Sequence, residues 1–262
     1  MRYVFGVISA LATALAVTFL TLPLIAIFLR VPPGQGYGRQ IALDALVDTT
    51  KTAVIANVVT LIVGTPAAYL LATRRFPGRT ALLTVLELPL VLPPAVAGIG
   101  LLVTFGRTGL LGGQLSALGI SVPFTQLAVV LAVIFVAGPF YLRGAITAFE
   151  SVETTYLDAA RTLGAQPWRT FRRVALPLAA AGLATSWSIS FARGVGEFGA
   201  TIIIAGSLQG RTQTLPLAIY SEFDNDINIS LAIGGLLVIF SFALLLAVKV
   251  VLAWPRLNLR ST

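Results

Sequence analysis

Long apolar stretches separated by short polar segments run along the whole chain. A helix of roughly 20 residues crosses the hydrocarbon of a bilayer, so a charge-free stretch of about 18 residues or more marks a candidate span. On this criterion we predict six transmembrane helices, at about 6–29, 52–73, 81–105, 124–147, 178–205 and 230–253. The pattern therefore predicts an all-α, polytopic membrane protein.

The predicted spans divide the chain into three parts. Residues 1–50 would hold a first transmembrane helix and an outer loop, residues 51–254 a core of five helices, and residues 255–262 a short cytoplasmic tail. A secretory signal is the alternative for the first helix, with Arg2 as its charged end. Because the apolar run continues unbroken to Leu29, longer than a typical signal core, we expect a retained span.

Composition agrees with a membrane protein and excludes two kinds of chemistry. Hydrophobic residues make up 57% of the chain, charged residues 11%, and the mean hydropathy is +0.92, unlike a soluble globular domain. The sequence has no cysteine, which excludes disulfides and thiolate metal sites, and no histidine, which removes the usual general base. We expect no metal site and no cofactor bound by this chain.

The distribution of Lys and Arg predicts the orientation. When the termini and the loops 74–80 and 148–177 are placed in the cytoplasm, 12 of the 18 basic residues lie on that side and five on the other, with Arg193 inside the membrane. Both termini are therefore expected to be cytoplasmic. The net charge of +8 is then mainly a topology signal, and we expect no nucleic-acid partner.

The stretch 158–177 is strongly basic, lies between two apolar segments and predicts a helix-turn-helix elbow on the membrane surface. Leu163 ends a short helix, and Gly164 follows it at the C′ position, where a positive φ costs glycine little. Pro167 suits the first position of the next helix, because the amide hydrogen that proline lacks would be unpaired there.

The second helix of the elbow is predicted to have two different sides. Its basic side carries three exposed residues, Arg169, Arg172 and Arg173. Its other side, facing lipid or protein, carries the large apolar residues Trp168, Phe171 and Val174. We expect this helix to end at Leu176-Pro177, where the next apolar run begins.

Two predicted spans contain residues that break helices. The third span has three prolines, Pro89, Pro93 and Pro94, within LPLVLPPAVAG at 88–98. In the fourth span, we expect Gly138-Pro139 to interrupt the helix. Within lipid, such breaks persist only where protein or a water-filled cavity satisfies the freed backbone groups. We therefore expect the third span to face the bundle interior, where it could line or gate a path.

The fifth span carries charges and glycines in FARGVGEFGATI at 191–202. A charge at bilayer depth costs roughly 2.5–3.5 kcal/mol by insertion scales, and Arg193 and Glu197 are spaced to pair along a helix. The neighbouring glycines allow close helix approach or a bend. Two interpretations stay open: a structural ion pair beside a packing contact, or part of a transport path. The pathway or gate candidates are Pro89, Pro93, Pro94, Gly98, Arg193, Gly196, Glu197 and Gly199.

Charged residues of the outer loops are expected to be solvated. Asp44, Asp48 and Lys51 lie three or four residues apart at the outer end of the second span and are expected to face water. The loop 207–229 carries acidic residues without the glycine and spacing of a calcium loop, so we expect a solvated loop that could dock a partner.

The elbow resembles the cytoplasmic-loop signature of ABC importer permeases. That signature begins with an acidic residue and Ala-Ala, followed after three residues of any type by Gly. After nine more residues of any type come an aliphatic residue, one residue of any type and Leu-Pro. It stands here as Asp158-Ala159-Ala160, Gly164, Val174 and Leu176-Pro177, with Asp for the usual Glu and Val for the usual Ile. The stretches 88–98, 191–202 and GRTQTLPLAIY at 210–220 resemble the molybdate permeases, whose nearest relatives are the sulfate/thiosulfate permeases.

The resemblance implies the permease subunit of an ATP-driven importer of a tetrahedral oxyanion, molybdate or tungstate before sulfate, in a prokaryotic inner membrane. It implies a homodimeric pore, two cytoplasmic ABC ATPase subunits that carry ATP and magnesium, and an extracytoplasmic oxyanion-binding protein. The ATPases would seat a coupling loop at about 150–177. The coupling residues implied are Asp158, Ala159, Ala160, Leu163, Gly164, Trp168, Arg169, Arg172, Leu176 and Pro177.

The chain itself is not expected to hydrolyse ATP. A phosphate-binding loop ends in Gly-Lys-Ser/Thr, and the only two lysines, Lys51 and Lys249, follow Thr50 and Val248. A self-sufficient secondary anion transporter or channel is the alternative from another class, and a membrane scaffold without transport activity is a third. The spacing of the coupling loop favours the importer over the secondary transporter, and the broken helices argue against the scaffold.

Overall fold

A computed structural model describes residues 2–31 and 39–258 of the chain, and no β-strand occurs in those ranges. Five helices there are long and apolar enough to cross a membrane, and a bent pair makes a sixth span if it is counted as one. The predicted all-α, polytopic architecture is confirmed. Residues 32–38 of the expected outer loop 30–50, and the last residues of the expected tail, 259–262, lie outside the described residues.

Twelve α-helices and one π turn follow one another within the described ranges. They are α1 (Arg2–Arg30), α2 (Arg39–Thr73), α3 (Arg79–Val91), α4 (Pro94–Phe105), α5 (Gly112–Ala117), α6 (Gln126–Glu150), α7 (Thr154–Thr162), α8 (Pro167–Thr170), the π turn (Phe171–Ala175), α9 (Leu176–Val195), α10 (Gly199–Ala205), α11 (Leu215–Phe223) and α12 (Ile227–Asn258). Helix α6 lies at the centre and packs on both α2 and α9, whereas α1 packs against α12.

Small residues bring α6 and α9 into close contact. A Cβ added to Gly144 would lie 2.2 Å from the Ser186 hydroxyl, and one added to Gly182 would lie 2.6 Å from the Cβ of Ala148. The Ser190 hydroxyl donates across the same interface to the Ala137 carbonyl at 2.8 Å. Small side chains let membrane helices approach until their backbones nearly touch, and this contact forms the rigid centre of the bundle.

Two helices continue where the sequence predicted that they would stop. Helix α6 runs through Gly138-Pro139 without the expected interruption, because proline in a membrane helix is tolerated when neighbours satisfy the freed carbonyl. The elbow helix does not end at Leu176-Pro177 either, since Pro167–Val195 is one continuous helical span. The Leu176 amide donates to the Phe171 carbonyl, and this wider π turn relieves the clash of the Pro177 ring with the preceding turn.

Two spans that were predicted as single helices are broken. The third bends by 113° between α3 and α4, at Leu92-Pro93, so the predicted kink is confirmed. Helix α4 buries residues in the bundle as expected, but α3 has no buried residue within this chain. The span predicted at 178–205 ends at Val195 and restarts at Gly199, because Gly196 is a poor helix former and the Glu197 side chain accepts an amide of the new helix.

The outer loop 30–50 was expected to become helical from about Ile41, and α2 begins close to that point, at Arg39. Two other predicted loops are more ordered than the pattern indicated. The segment 106–123 contains α5, and the segment 207–229 contains α11, which packs between α2 and α12. These segments are helical because the short helices pack on the outer ends of the spans. The local sequence does not reveal such packing.

Candidate functional site

The two helix-breaking stretches of the sequence meet where α4 crosses α10. A Cβ added to Gly98 would lie 2.7 Å from the Ala200 carbonyl oxygen and 2.9 Å from its Cα. A Cβ added to Gly199 would lie 2.9 Å from the Cβ of Pro94. Real Cβ atoms essentially never come this close, so the contact between the broken spans depends on these two glycines.

An ion pair bridges the break between α9 and α10. Arg193 Nη1 lies 2.8 Å from Glu197 Oε2, so the predicted pair is confirmed, although Glu197 lies in the break after α9 rather than on the same helix. Glu197 Oε2 accepts no hydrogen bond from the described part of the chain, so its contact with Arg193 is ionic. Glu197 Oε1 accepts the Ala200 amide at 2.8 Å in the first turn of α10. One buried carboxylate thus holds both sides of the break.

The remaining pathway candidates occupy different positions around this contact. Pro93 is the N-cap of α4, where its carbonyl accepts the amides of Val96 and Ala97. Pro89 lies inside α3 and lines an apolar cavity between α2, α3 and α6, away from the glycine contact. Gly196 is exposed at the end of α9. The structure therefore brings together Pro94, Gly98, Gly199 and the ion pair, but not Pro89.

The elbow turn has the geometry that its sequence predicted. Gly164 has a φ of +80°, in the left-handed region that favours glycine. Its amide donates to the Arg161 carbonyl at 2.9 Å, and the Ala165 amide donates to the Ala160 carbonyl at 3.0 Å. These two bonds form a Schellman motif that satisfies the last carbonyls of α7. The exposed pair Asp158–Arg161 at 2.9 Å adds little stability because water screens it.

The elbow helix has two different sides. The three arginines are exposed, while Phe171 packs with its ring centroid 4.9 Å from that of Tyr69 and Val174 packs on the core. Trp168, predicted on the side facing lipid or protein, lies 5.5 Å from Phe171 between ring centroids and is 65% exposed within this chain. Leu163 is 87% exposed on the other side of the turn. The tip of the elbow therefore presents two large apolar side chains.

A buried polar network at the outer end of α2 was missed by the sequence analysis. Asp48, expected in water, is 4% exposed because the segment before α11 covers it, so that prediction was wrong. The Thr49 hydroxyl accepts the Leu215 amide at 2.8 Å, and Asp44 accepts from the Gln209 amide at 3.1 Å. The polar residues 212–214 are buried. This polar run was the feature of the sequence that could have indicated that the segment before α11 packs on the protein and does not extend into solvent.

The acidic residues between α11 and α12 serve the chain's own structure. Asp226 Oδ1 accepts the Asn228 amide at 2.8 Å and so caps the start of α12. Asp224 is exposed. Across residues 2–31 and 39–258, no three His, Cys, Asp or Glu side chains gather as a metal site.

The fold and these features match a known class of transport proteins. Residues 64–257 match the family described as binding-protein-dependent transport system inner membrane component. The chain is 40% identical over 235 residues to the molybdenum transport system permease protein ModB of Mycobacterium tuberculosis, covering 88% of this chain and 89% of that one. It is 36% identical over 222 residues to the sulfate transport system permease protein CysW of Synechocystis sp., covering 82% and 80%.

Structural comparison agrees with this match. The crystal structure of a bacterial ABC transporter involved in the import of the acidic polysaccharide alginate shares the fold, with a TM-score of 0.75, 15% identity and 96% of each chain covered. The chain therefore belongs to the family of binding-protein-dependent transport system inner membrane components, the membrane-spanning permeases of ABC transporters.

Proposed function

We propose that this chain is the permease subunit of an ATP-driven importer of a tetrahedral oxyanion, with molybdate or tungstate as the substrate. Membership of the permease family and 40% identity to a molybdenum permease over most of both chains support this proposal. The relative named as a sulfate permease, at 36% identity over a similar length, makes sulfate the second candidate.

The single observation that carries the coupling role is the exposed apolar tip of the elbow. Leu163 and Trp168 flank the Gly164 turn and project from the bundle beside three exposed arginines. Large apolar side chains exposed together on a surface mark a docking site for a partner. We assign this tip to a cleft of a cytoplasmic ABC ATPase subunit, which binds the ATP and magnesium. Two copies of this chain would engage two such subunits.

The transport path would lie between two copies of the chain. Helix α3, which buries no residue in this chain, offers a surface that a second copy could cover. The ion pair favours the structural interpretation, because Glu197 neutralises Arg193 and caps α10 rather than leaving a cation for an oxyanion. In this proposal the glycine contact and the ion pair hold the bend that shapes the path.

The elbow position also sets the proposed orientation. With the elbow in the cytoplasm, both termini are cytoplasmic, and the segments carrying α5 and α11 lie on the opposite side. An extracytoplasmic binding protein would deliver its oxyanion to that side, and the description of the family as binding-protein-dependent supports such a partner.

The decisive experiment reconstitutes the purified chain in liposomes with its candidate ATPase and binding protein. We expect ATP hydrolysis to rise when the binding protein is loaded with molybdate or tungstate and to rise less with sulfate. Hydrolysis that responds best to sulfate would move the substrate to the second candidate. Anion flux through this chain alone, without association with any ATPase, would overturn the proposal in favour of a secondary transporter or channel.

Variants of the elbow tip test the coupling role directly. Leu163→Ser and Trp168→Ser should each weaken ATPase association by about tenfold or more, as expected for exposed apolar anchors. Leu118→Ser is the matched control, since Leu118 is 73% exposed and lies beside α5, away from the elbow. Equal association of all three variants would contradict the proposed docking surface.

A further inference from the structure

Two cavities lie between α2 and α6, one of them beside the elbow. One measures about 460 Å³ and is polar, lined by residues that include Thr73, Arg75, Arg79, Glu150, Asp158 and Arg161. The other measures about 470 Å³ between α2, α3 and α6 and is apolar, lined by residues that include Val59, Val63, Ala67, Leu86, Pro139 and Leu142. Neither cavity belongs to the glycine contact between α4 and α10.

A contact between Leu71 and Arg79 connects the linings of the two cavities. The side chain of Leu71 lines the apolar cavity, and its carbonyl accepts from Arg79 Nε at 2.7 Å. Arg79 lines the polar cavity and also pairs with Glu150 at 2.6 Å. The linings of the two cavities therefore meet where the spans α2 and α6 end.

The polar cavity carries a net positive charge. Arg79 is neutralised by Glu150, and Arg161 is neutralised by Asp158 at 2.9 Å. Arg75 makes no ion pair and no side-chain hydrogen bond with any part of the chain that the structure describes. A guanidinium is weakly hydrated and presents a fork of donors that matches phosphate oxygens. The cavity is thus suited to one phosphate group.

We propose that the two cavities form one binding site for an anionic phospholipid of the leaflet on the elbow side. The phosphate would lie against Arg75 and Arg79, and one acyl chain would lie along α2 between α3 and α6. Basic pockets between spans at a membrane surface bind anionic headgroups in this way. The apolar cavity selects a lipid over a free phosphate, because a soluble anion has no group to fill it.

The site would connect lipid composition to the elbow, whatever anion the transporter carries. Its polar part is lined both by the ends of α2 and α6 and by Asp158 and Arg161 of α7. A bound headgroup would therefore contact the start of α3 and the elbow together. This inference depends on the neighbouring cavities and not on the proposed substrate, so failure of either one leaves the other standing.

The headgroup half of the site is tested by native mass spectrometry of the purified, delipidated protein. Dioleoyl phosphatidylglycerol should be retained in preference to dioleoyl phosphatidylcholine, which has the same acyl chains. Arg75→Gln should weaken retention of phosphatidylglycerol by about fivefold, the effect of one basic residue at a membrane surface. Arg74→Gln is the matched control, because Arg74 is also exposed in the same turn but does not line the cavity. Equal retention by the two variants would overturn the headgroup site.

The acyl half is tested by filling the apolar cavity. Val63→Trp should reduce lipid retention as strongly as Arg75→Gln, whereas Ile62→Trp, at a neighbouring and equally exposed position outside the cavity, should not. If Val63→Trp has no effect and glycerol 3-phosphate displaces all bound phosphatidylglycerol, the site takes a soluble phosphate and the lipid proposal is wrong. Displacement of the lipid by the partner ATPase would assign the cavity to that protein and would also overturn it.

Discussion

Glu197 shows how one buried side chain can hold a broken membrane helix together. Its carboxylate is 1% exposed, pairs with Arg193 of α9 and accepts the Ala200 amide of α10. The Arg193 side chain is 30% exposed within this chain, so the two partners are not equivalent. Removing the arginine leaves a buried charge without compensation, which is the more expensive of the two losses.

This asymmetry predicts that a change at Glu197 restores part of the stability lost by a change at Arg193. Arg193→Ala alone should lower the free energy of unfolding by about 2–3 kcal/mol, because the Glu197 carboxylate stays buried without its cation. Adding Glu197→Gln should recover about 1–2 kcal/mol, since a neutral amide oxygen can still accept the Ala200 amide. Unfolding midpoints of the single and double variants in detergent measure the difference. A double variant less stable than Arg193→Ala would show that the pair is not what stabilises the break.

The hydroxyl of Thr49 makes a similar prediction at the outer end of α2. It accepts the Leu215 amide in a buried position, at the start of α11. Thr49→Val keeps the shape but leaves that amide unpaired, so it should cost about 1–3 kcal/mol of unfolding free energy. Thr49→Ser keeps the hydroxyl and should cost clearly less, by the same unfolding assay. If the valine variant were as stable as the serine variant, α11 would not be held by this bond.

At the scale of elements, the contact between α4 and α10 depends on the absence of side chains. Gly98 faces backbone atoms of Ala200 that cannot move aside without moving α10. Gly100 lies two residues further along the same helix and has nothing within 4 Å of an added Cβ. These two glycines therefore form a matched pair of test positions within one helix.

Gly98→Ala should destabilise the protein by about 1–3 kcal/mol, because the new methyl group forces the two broken spans apart. Gly100→Ala should be neutral or stabilising by up to about 1 kcal/mol, since alanine is the better helix former in open space. Thermal unfolding and ATP-driven uptake in liposomes measure both variants. Gly98→Ala should lose uptake and Gly100→Ala should keep it, and equal uptake would contradict a requirement for this contact.

Local constraints account for what the sequence predicted, and packing accounts for what it did not. The positive φ of Gly164 and the bend at Leu92-Pro93 follow from glycine and proline themselves, so these features could be predicted. The burial of Asp48 depends on α11, which the pattern assigned to a loop. The meeting of Gly98 with Ala200 joins segments far apart in the chain, and no pattern within a single sequence shows it.

At the scale of the whole molecule, one continuous helix connects the elbow to the broken spans. The span Pro167–Val195 has 29 residues, which at about 1.5 Å per residue is roughly 43 Å of helix. It begins beside the exposed tip at Trp168, and its last turn carries Arg193, which pairs with Glu197. A movement imposed on the elbow by an ATPase would therefore reach the α9–α10 break through a single rigid element.

Softening this helix should separate ATP hydrolysis from transport. Ala180→Gly with Ala181→Gly changes two exposed positions of α9, so no packing is lost, while each glycine weakens the helix by about 1 kcal/mol. We expect the reconstituted transporter to keep its ATPase association and stimulated hydrolysis but to carry fewer anions per ATP. The same double change at the exposed Ala14 and Ala16 of α1 is the control and should leave that ratio unaltered. An unaltered ratio in the α9 variant would mean that the movement reaches the break by another route, with the connection from α6 to α7 as the next element to test.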